Sequence, residues 1–298
     1  MSLVLNVSNI IVEKNKRKIL DLTDMNVRID SKDKVAILGD NGAGKTTLIN
    51  TILGEENFKG KIEKQFEKED IGIVFQTNAY NDLMRVYELI NLVNPKVKKE
   101  KLNQFLRQYE LDGLVKKLIQ DLSVGEKQRL TLSLVLSKEK KIYFFDELTS
   151  GLDYKKRLGL LSLMKEKTKG SAVLNVTHYF EEIENWATKI MLLQKGKSLY
   201  FGGISEFFSI YPHESAIKVD YKEWDKMNGA DLRSYLTIDT GDGKIVVCLD
   251  VNNERILADS FAELNVIFSV IKQNIYTTYL LACFRGASRN YNRNLEEG

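Results

Sequence analysis

Residues 34–53 constrain the fold of this chain more than any other stretch. KVAIL is a short apolar run, GDNGAGKT follows it, and TTLINTIL continues with helical character. Gly39, Asp40, Asn41, Gly42, Ala43, Gly44, Lys45 and Thr46 fit the spacing GxxxxGK[ST], with a strand before and a helix after, the context the motif requires. Small residues let backbone N–H groups curl around phosphates. The helix that follows, with Thr47 in its first turn, points its positive end the same way. Lys45 offers a point charge to the β- and γ-phosphates, and the Thr46 hydroxyl is suited to ligate Mg2+. A buried strand feeding such a loop implies an α/β sheet with its ligand at the carboxyl edge.

Residues 142–147 read IYFFDE, so four apolar residues run into two acids. A buried strand there delivers Asp146 and Glu147 to that same edge. Asp146 is expected to hold Mg2+ directly or through water, and Glu147 to polarise the attacking water as a general base. Residues 71–75 (IGIVF), 172–176 (AVLNV) and 189–193 (KIMLL) are further buried-strand candidates. Residues 1–30 alternate apolar and polar positions, as in Leu3, Leu5, Val7 and later Met25, Val27, Ile29, the pattern of strands with one solvated face. Between 80 and 140, Leu102, Phe105, Leu106, Tyr109 and Leu111 recur at helical spacing where Gly and Pro are scarce, which predicts a helical insert. Strands separated by helices on either side of it suggest a mostly parallel sheet.

The stretch Leu122-Ser123-Val124-Gly125-Glu126-Lys127-Gln128-Arg129 resembles the signature motif of ABC ATPases. Ser123 and the amides around Gly125 at a helix start make an anion site. The resemblance implies that this site, with Glu126, faces the γ-phosphate held by a second cassette, so that ATP joins two subunits. Other motifs follow in the family's order. Gln76 matches the glutamine that senses Mg2+ and the attacking water and connects to the helical insert. Ser150-Gly151-Leu152-Asp153 matches the loop that crosses the dimer interface. His178, one of two histidines, matches the switch histidine that contacts the γ-phosphate. The resemblance covers residues 3–210. It implies a P-loop cassette, with a RecA-like mixed sheet core, an N-terminal β subdomain and a helical insert. It also implies ATP hydrolysis with Mg2+, in which Lys45, Gln76, Glu147 and His178 act. Val124 replaces the first of the usual signature glycines, Glu126 the usual glutamine, and Leu148 the usual proline after Glu147. The family stacks an aromatic on adenine upstream of the phosphate loop; the matching region here, Glu13-Lys14-Asn15-Lys16, has none.

The composition shifts near Pro212, one of two prolines. Leu236–Thr237–Ile238 and residues 244–249 flank DTGDG, which predicts a hairpin. Residues 260–284 carry Phe261, Leu264, Phe268 and Ile271 at helical spacing, and the polar residues 288–298 are expected to fray. The expected organisation is a cassette over 1–212 and a small α+β accessory domain over 213–298. The lysine clusters, Lys14, Lys16, Arg17, Lys18 and Lys96, Lys98, Lys99, Lys101, read as solvated faces.

A net charge of +3 over 298 residues gives no electrostatic case for nucleic acid. Two widely spaced cysteines, Cys248 and Cys283, suggest a reduced, cytosolic setting. No apolar run reaches the ~18 residues that span a bilayer, so a transporter reading requires separate integral membrane permease subunits. These would dock beside Gln76 and the helical insert, holding the chain at the cytoplasmic face of the cell membrane. The segment Thr177-His178-Tyr179-Phe180-Glu181-Glu182-Ile183-Glu184 resembles that of exporter cassettes that pair with ABC-2-type permeases, whose cargo includes peptides, antimicrobials, drugs and lipid-type molecules. Two alternatives differ in class. One is a non-transport ABC ATPase acting on ribosomes or DNA, against which stands the presence of a single phosphate loop and signature. The other is a partner that binds ATP without hydrolysing it, against which stand Glu147 and His178. The second cassette is of the same chain or a different one.

Overall fold

A computed structural model describes residues 2–95, 99–229 and 231–296. The chain divides into two compact units, Met1–Ser198 and Leu199–Gly298.

In the first unit, β1 (Leu3–Lys14) and β2 (Arg17–Asp30) form a hairpin. Its turn residues Asn15 and Lys16 have φ of 50° and 62°, the left-handed pair that a tight two-residue hairpin turn needs. Then come β3 (Lys34–Leu38), α1 (Lys45–Leu53), β4 (Lys59–Lys64), β5 (Ile71–Val74), α2 (Val86–Val93), α3 (Lys99–Gln108) and α4 (Val124–Leu136). The rest is β6 (Ile142–Asp146), α5 (Tyr154–Lys167), β7 (Ala172–Val176), α6 (Phe180–Ile183), β8 (Lys189–Gln194) and β9 (Lys197–Gly203). The strands are ordered β4-β1-β2-β9-β8-β3-β7-β6-β5. The β4-β1-β2 end is antiparallel, whereas β8, β3, β7, β6 and β5 pair in parallel. Every residue of β3, β6 and β7 is buried, as expected of parallel strands covered on both faces. The helical insert takes the form of α2, α3 and α4. Ile90, Leu106, Leu111 and Leu130 join Phe145 and Met164 in one apolar cluster.

The boundary between the compact units lies inside β9 and not at Pro212. The reason is packing. Helix α7 (Ile204–Ile210) carries Phe207, fully buried, with its ring 4.9 Å from that of Tyr200 and 5.5 Å from that of Tyr211. These aromatics hold residues 199–212 together. Gln273 Nε2 donates to the Phe208 carbonyl at 3.3 Å, which ties the same segment to the C-terminal residues.

The second unit continues with β10 (Ser215–Asp220), α8 (Tyr221–Trp224), β11 (Leu236–Asp239), β12 (Gly243–Cys248), α9 (Val251–Glu263), β13 (Phe268–Lys272) and α10 (Ile275–Glu296). From β10 to β13 this is a βαββαβ chain. Its antiparallel sheet is ordered β11-β12-β10-β13, a split-βαβ arrangement. Ile217, Val246 and Cys248 pack with Leu257 and Phe261 of α9 on one face, and Ala216, Ile238 and Ile245 with Leu280 of α10 on the other. The β11–β12 hairpin forms where DTGDG predicts it. Residues 260–284 are not one helix. Asn265 turns the backbone at φ 52°, and Phe268–Lys272 forms a strand against β10. The β-branched residues Val266, Ile267, Val270 and Ile271 favour that outcome. Helix α10 runs to Glu296, and 297–298 lie outside the described residues. So do Lys96 and Lys98. Among the described residues no helix is long and apolar enough to cross a membrane.

Candidate functional site

The loop from β3 into α1 is shaped by two close approaches. Gly39 has φ 148°, and a Cβ there would stand 2.2 Å from the Leu193 carbonyl oxygen of β8. Gly44 caps α1 at φ 101°, where a Cβ would meet the Leu20 side chain at 3.1 Å. Only glycine accepts both the dihedral and the crowding. Lys45 reaches back along the loop, and its Nζ donates to the carbonyls of Gly39 at 2.7 Å and Asp40 at 3.0 Å. Burial lowers the Lys45 pKa, while the charges of Glu147, Asp146 and Asp40 pull it up. The result is a cation at the base of a ring of backbone donors, which fits a polyphosphate.

Of the two acids after β6, Glu147 lines the opposite wall and Asp146 lies buried behind Thr46. Thr46 Oγ1 donates to Asp146 Oδ2 at 2.8 Å. Asp146 is 5 % exposed. Burial raises its pKa, and the charge of Glu147 adds to this, while the Thr46 hydroxyl, Lys45 and His178 oppose. A buried carboxylate beside a hydroxyl is a hard oxygen pair of the kind Mg2+ prefers, the remaining ligands being water and phosphate. Among the described residues no cluster of three or more His, Cys, Asp or Glu is set to hold a metal, and a magnesium ion bound through a nucleotide requires none.

Glu147 follows β6 with φ 52°, and its N–H donates to the Val176 carbonyl at 3.0 Å. Its carboxylate is gripped from both sides. Gln76 Nε2 donates to Oε2 at 2.7 Å, and His178 Nε2 lies 2.6 Å from Oε1. The cleft of 660 Å³ is lined by Asn41, Gly42, Ala43, Gly44, Lys45, Thr46 and Thr47, by Gln76, Glu147 and His178, and by Ile19 and Ser150. Sequence reading missed Ile19 as a site residue because it searched upstream for an aromatic and passed over an aliphatic. In the hairpin itself the charges pair locally, Lys14 with Glu56 at 2.6 Å and Glu13 with Lys59 at 3.7 Å.

Ser123, Gly125, Glu126 and Asp153 do not line this cleft. Ser123 caps α4, accepting from Glu126 N at 3.3 Å while its own N–H donates to Glu126 Oε2 at 2.7 Å. Glu126 also pairs with Lys117 at 3.0 Å, so its carboxylate is engaged within the chain. Asp153 caps α5, accepting from Lys156 N at 3.0 Å. A Cβ on Gly125 would meet Leu152 and Lys156 side chains at 3.2 and 3.1 Å. The two turns are therefore neighbours. With Val124 and Tyr154, 60 % and 65 % exposed, they make a second, partly apolar surface.

Residues 22–150 match the ABC transporter family. A protein of Clostridium acetobutylicum that carries the name of an ABC transporter ATP-binding protein is 33% identical over 210 residues, covering 63% of this chain and 75% of that one. This chain is an ABC transporter ATP-binding subunit. The methionine import ATP-binding protein of Campylobacter jejuni is 28% identical to the cassette over 236 residues, covering 66% of this chain and 70% of its own. The sulfate/thiosulfate import ATP-binding protein of Pseudomonas aeruginosa is 32% identical over 219 residues, covering 66% of each. Among solved structures, an ATP-binding subunit of an ABC transporter superposes with a TM-score of 0.62 at 22% identity, covering 70% of this chain and 93% of that one; this likeness shows the fold. The cassette is an ATPase that uses ATP and Mg2+, and cassettes of this family dimerise and work with membrane permease subunits.

Proposed function

We propose that Glu147 is the general base of ATP hydrolysis, held in place by Gln76 and His178. The observation that carries this reading is the two-sided grip on the Glu147 carboxylate, at 2.7 and 2.6 Å, at the mouth of the phosphate cleft. A base so held can align a water against a phosphorus atom without reorganising when the reaction begins. Gly39, Asp40, Asn41, Gly42, Ala43, Gly44 and Thr47 cradle the phosphates through their backbone, and Lys45 leaves its carbonyl partners to meet them. Thr46, Asp146 and Gln76 are the residues that would hold Mg2+. When bound, the ion neutralises phosphate charge. His178 turns from Glu147 toward the γ-phosphate.

The site is completed by a second cassette. Ser123, Gly125, Glu126 and Asp153 stand on the other surface of this chain and serve the nucleotide of the facing copy. The test is Glu147→Gln. Turnover falls by at least about 100-fold while ATP binding persists, and ATP-loaded dimers accumulate in size-exclusion chromatography. Near-normal turnover refutes the base. Ser123→Arg in that background removes the ATP-dependent dimer and leaves ATP binding by the monomer intact.

Closure of two cassettes on ATP and their loosening after hydrolysis drive separate membrane subunits at the cytoplasmic face of the membrane. Leu83 before α2 and Leu92 on it, 73% and 68% exposed, support a docking surface on the helical insert. We read the direction as export, on the resemblance of Thr177–Glu184 to exporter cassettes. Tyr179 in that segment packs beneath Arg157, with the guanidinium 4.0 Å from the ring centroid. The relatives named for methionine and sulfate import favour import as the second reading. Co-purified membrane subunits reconstituted in vesicles decide it: cargo moving away from the ATP side supports export, and toward it import. The second compact unit, Leu199–Gly298, is read as an accessory domain with no assigned site.

A further inference from the structure

We propose that Glu182 is a positioning residue for hydrolysis, its buried carboxylate clamping the turn that carries His178 to the turn that follows Glu147. The proposal rests on the reading of Glu147 and His178 above.

Glu182 is 2 % exposed in α6. Oε1 accepts the Thr149 hydroxyl at 2.6 Å, and Oε2 accepts the Thr177 hydroxyl at 2.8 Å. Both threonines are buried. Thr177 directly precedes His178, and Thr149 stands two residues after Glu147. Each oxygen of one carboxylate thus holds one of the two loops that deliver the gripped pair. The Thr177 hydroxyl in turn accepts the Tyr179 N–H at 3.1 Å, which fixes the turn on the far side of His178. Arg157 of α5 stacks on the Tyr179 ring, donates to Glu181 at 2.6 Å, and brings its Nε within 3.7 Å of Glu182. Burial raises the Glu182 pKa, and the two hydroxyls and Arg157 oppose it.

A buried carboxylate is a costly way to fill space, because an apolar side chain would do so without losing hydration. This one stands where both its oxygens are used and where each partner borders a group that must meet the other within hydrogen-bond reach. A base displaced by a fraction of an ångström loses rate, whereas phosphate binding on the β3–α1 loop does not depend on it. Glu182 touches no reacting atom, so its removal is expected in kcat and not in nucleotide affinity.

Steady-state ATPase kinetics and the shift of melting temperature by magnesium ATP test this in Glu182→Gln and Glu182→Ala. A kcat at least about tenfold lower, with KM and the ATP-induced shift within about twofold of the parent, supports the clamp. A kcat within about twofold of the parent overturns it. So does a kcat loss matched by an equal loss of ATP binding, which marks a merely structural role. If the Glu182 variants fail to fold, Thr177→Val and Thr177→Ser carry the test. Valine removes the hydroxyl at constant shape and lowers kcat, and serine, which keeps it, restores kcat; equal behaviour of the two overturns the clamp. Glu147→Gln is measured alongside. If it turns over normally, the reading of the base falls and the clamp with it. If it is inactive while the Glu182 variants are normal, the clamp alone falls.

Discussion

Both compact units bury polar side chains against their own backbone, as Lys34 is against the Thr168 carbonyl at 2.6 Å, but the first also turns some of them to a cleft. In Met1–Ser198, buried Lys45 lines one open cleft with Thr46, which Asp146 holds from behind, and Thr149, Thr177 and Glu182 lie behind Glu147 and His178. In Leu199–Gly298 the buried His213, Thr277 and Thr278 close on their own surroundings. His213 contacts the Tyr211 carbonyl at 3.0 Å and the Thr277 hydroxyl at 2.8 Å, and Thr278 donates to the Asn274 carbonyl at 2.7 Å, fastening the first turn of α10. Burial keeps the His213 pKa low. Burial of polar groups therefore does not by itself mark a site. What marks it is convergence of opposite charges on a solvent-open concavity, with strong donors turned toward the gap.

A matched pair of glycines tests this contrast with the largest expected effect. Gly39→Ala would drive a Cβ to 2.2 Å from Leu193 O, and Gly243→Ala one to 2.4 Å from Val219 O. Both are expected to destabilise by roughly 1–3 kcal/mol in denaturant melts. Only Gly39→Ala should weaken ATP binding, by at least about tenfold, or ~1.4 kcal/mol. If Gly243→Ala weakens it equally, the division of labour between the units is wrong.

Ile19→Ala sharpens the comparison within the cleft. Loss of a half-buried aliphatic contact of about 1 kcal/mol raises the KM for ATP about fivefold and leaves kcat alone. An unchanged KM would mean that the nucleotide does not rest on Ile19.

The smallest effect lies outside both sites. Asp21 accepts the Thr23 hydroxyl at 2.6 Å and Lys18 Nζ at 2.9 Å, and these hold its pKa down at about 2, the Thr23 bond first. The folded value lies below the unfolded 3.8. The stabilisation is thus complete above the unfolded value and is lost as pH falls through about 2. Asp21→Asn should cost about 1 kcal/mol at pH 7, and the gap in denaturant midpoints should close near pH 2. A gap that persists there would rule out the carboxylate as its source.

Much of the first unit was legible because its chemistry and its fold share residues. The run KVAIL is both the central buried strand and the support of the phosphate loop, and IYFFDE ends a strand with its acids at the cleft. Ile19 was not legible, since an aliphatic residue at a hairpin carries no chemical mark until the sheet brings it over Gly44. The clamp at Glu182 was equally silent, because one glutamate in an acidic run looks solvated until packing buries it. In the second unit, Phe261, Leu264, Phe268 and Ile271 fit a helical period that continues past a turn. Only the left-handed Asn265 and the free edge of β10 select the strand. The boundary at 198 was hidden because it falls within a strand, where composition does not change.

The positive φ of Glu147 limits which inactive variants can be interpreted. Valine, isoleucine or threonine at this position would force a branched Cβ into a left-handed backbone. Such a variant would lose turnover through a rebuilt β6–α5 link, even if no base were needed. Glycine would relax the link and could free the chain to wander. Glutamine and asparagine alter the acid while keeping the strain nearly as it is. A protein engineer seeking a cassette frozen on its nucleotide should therefore begin with an amide.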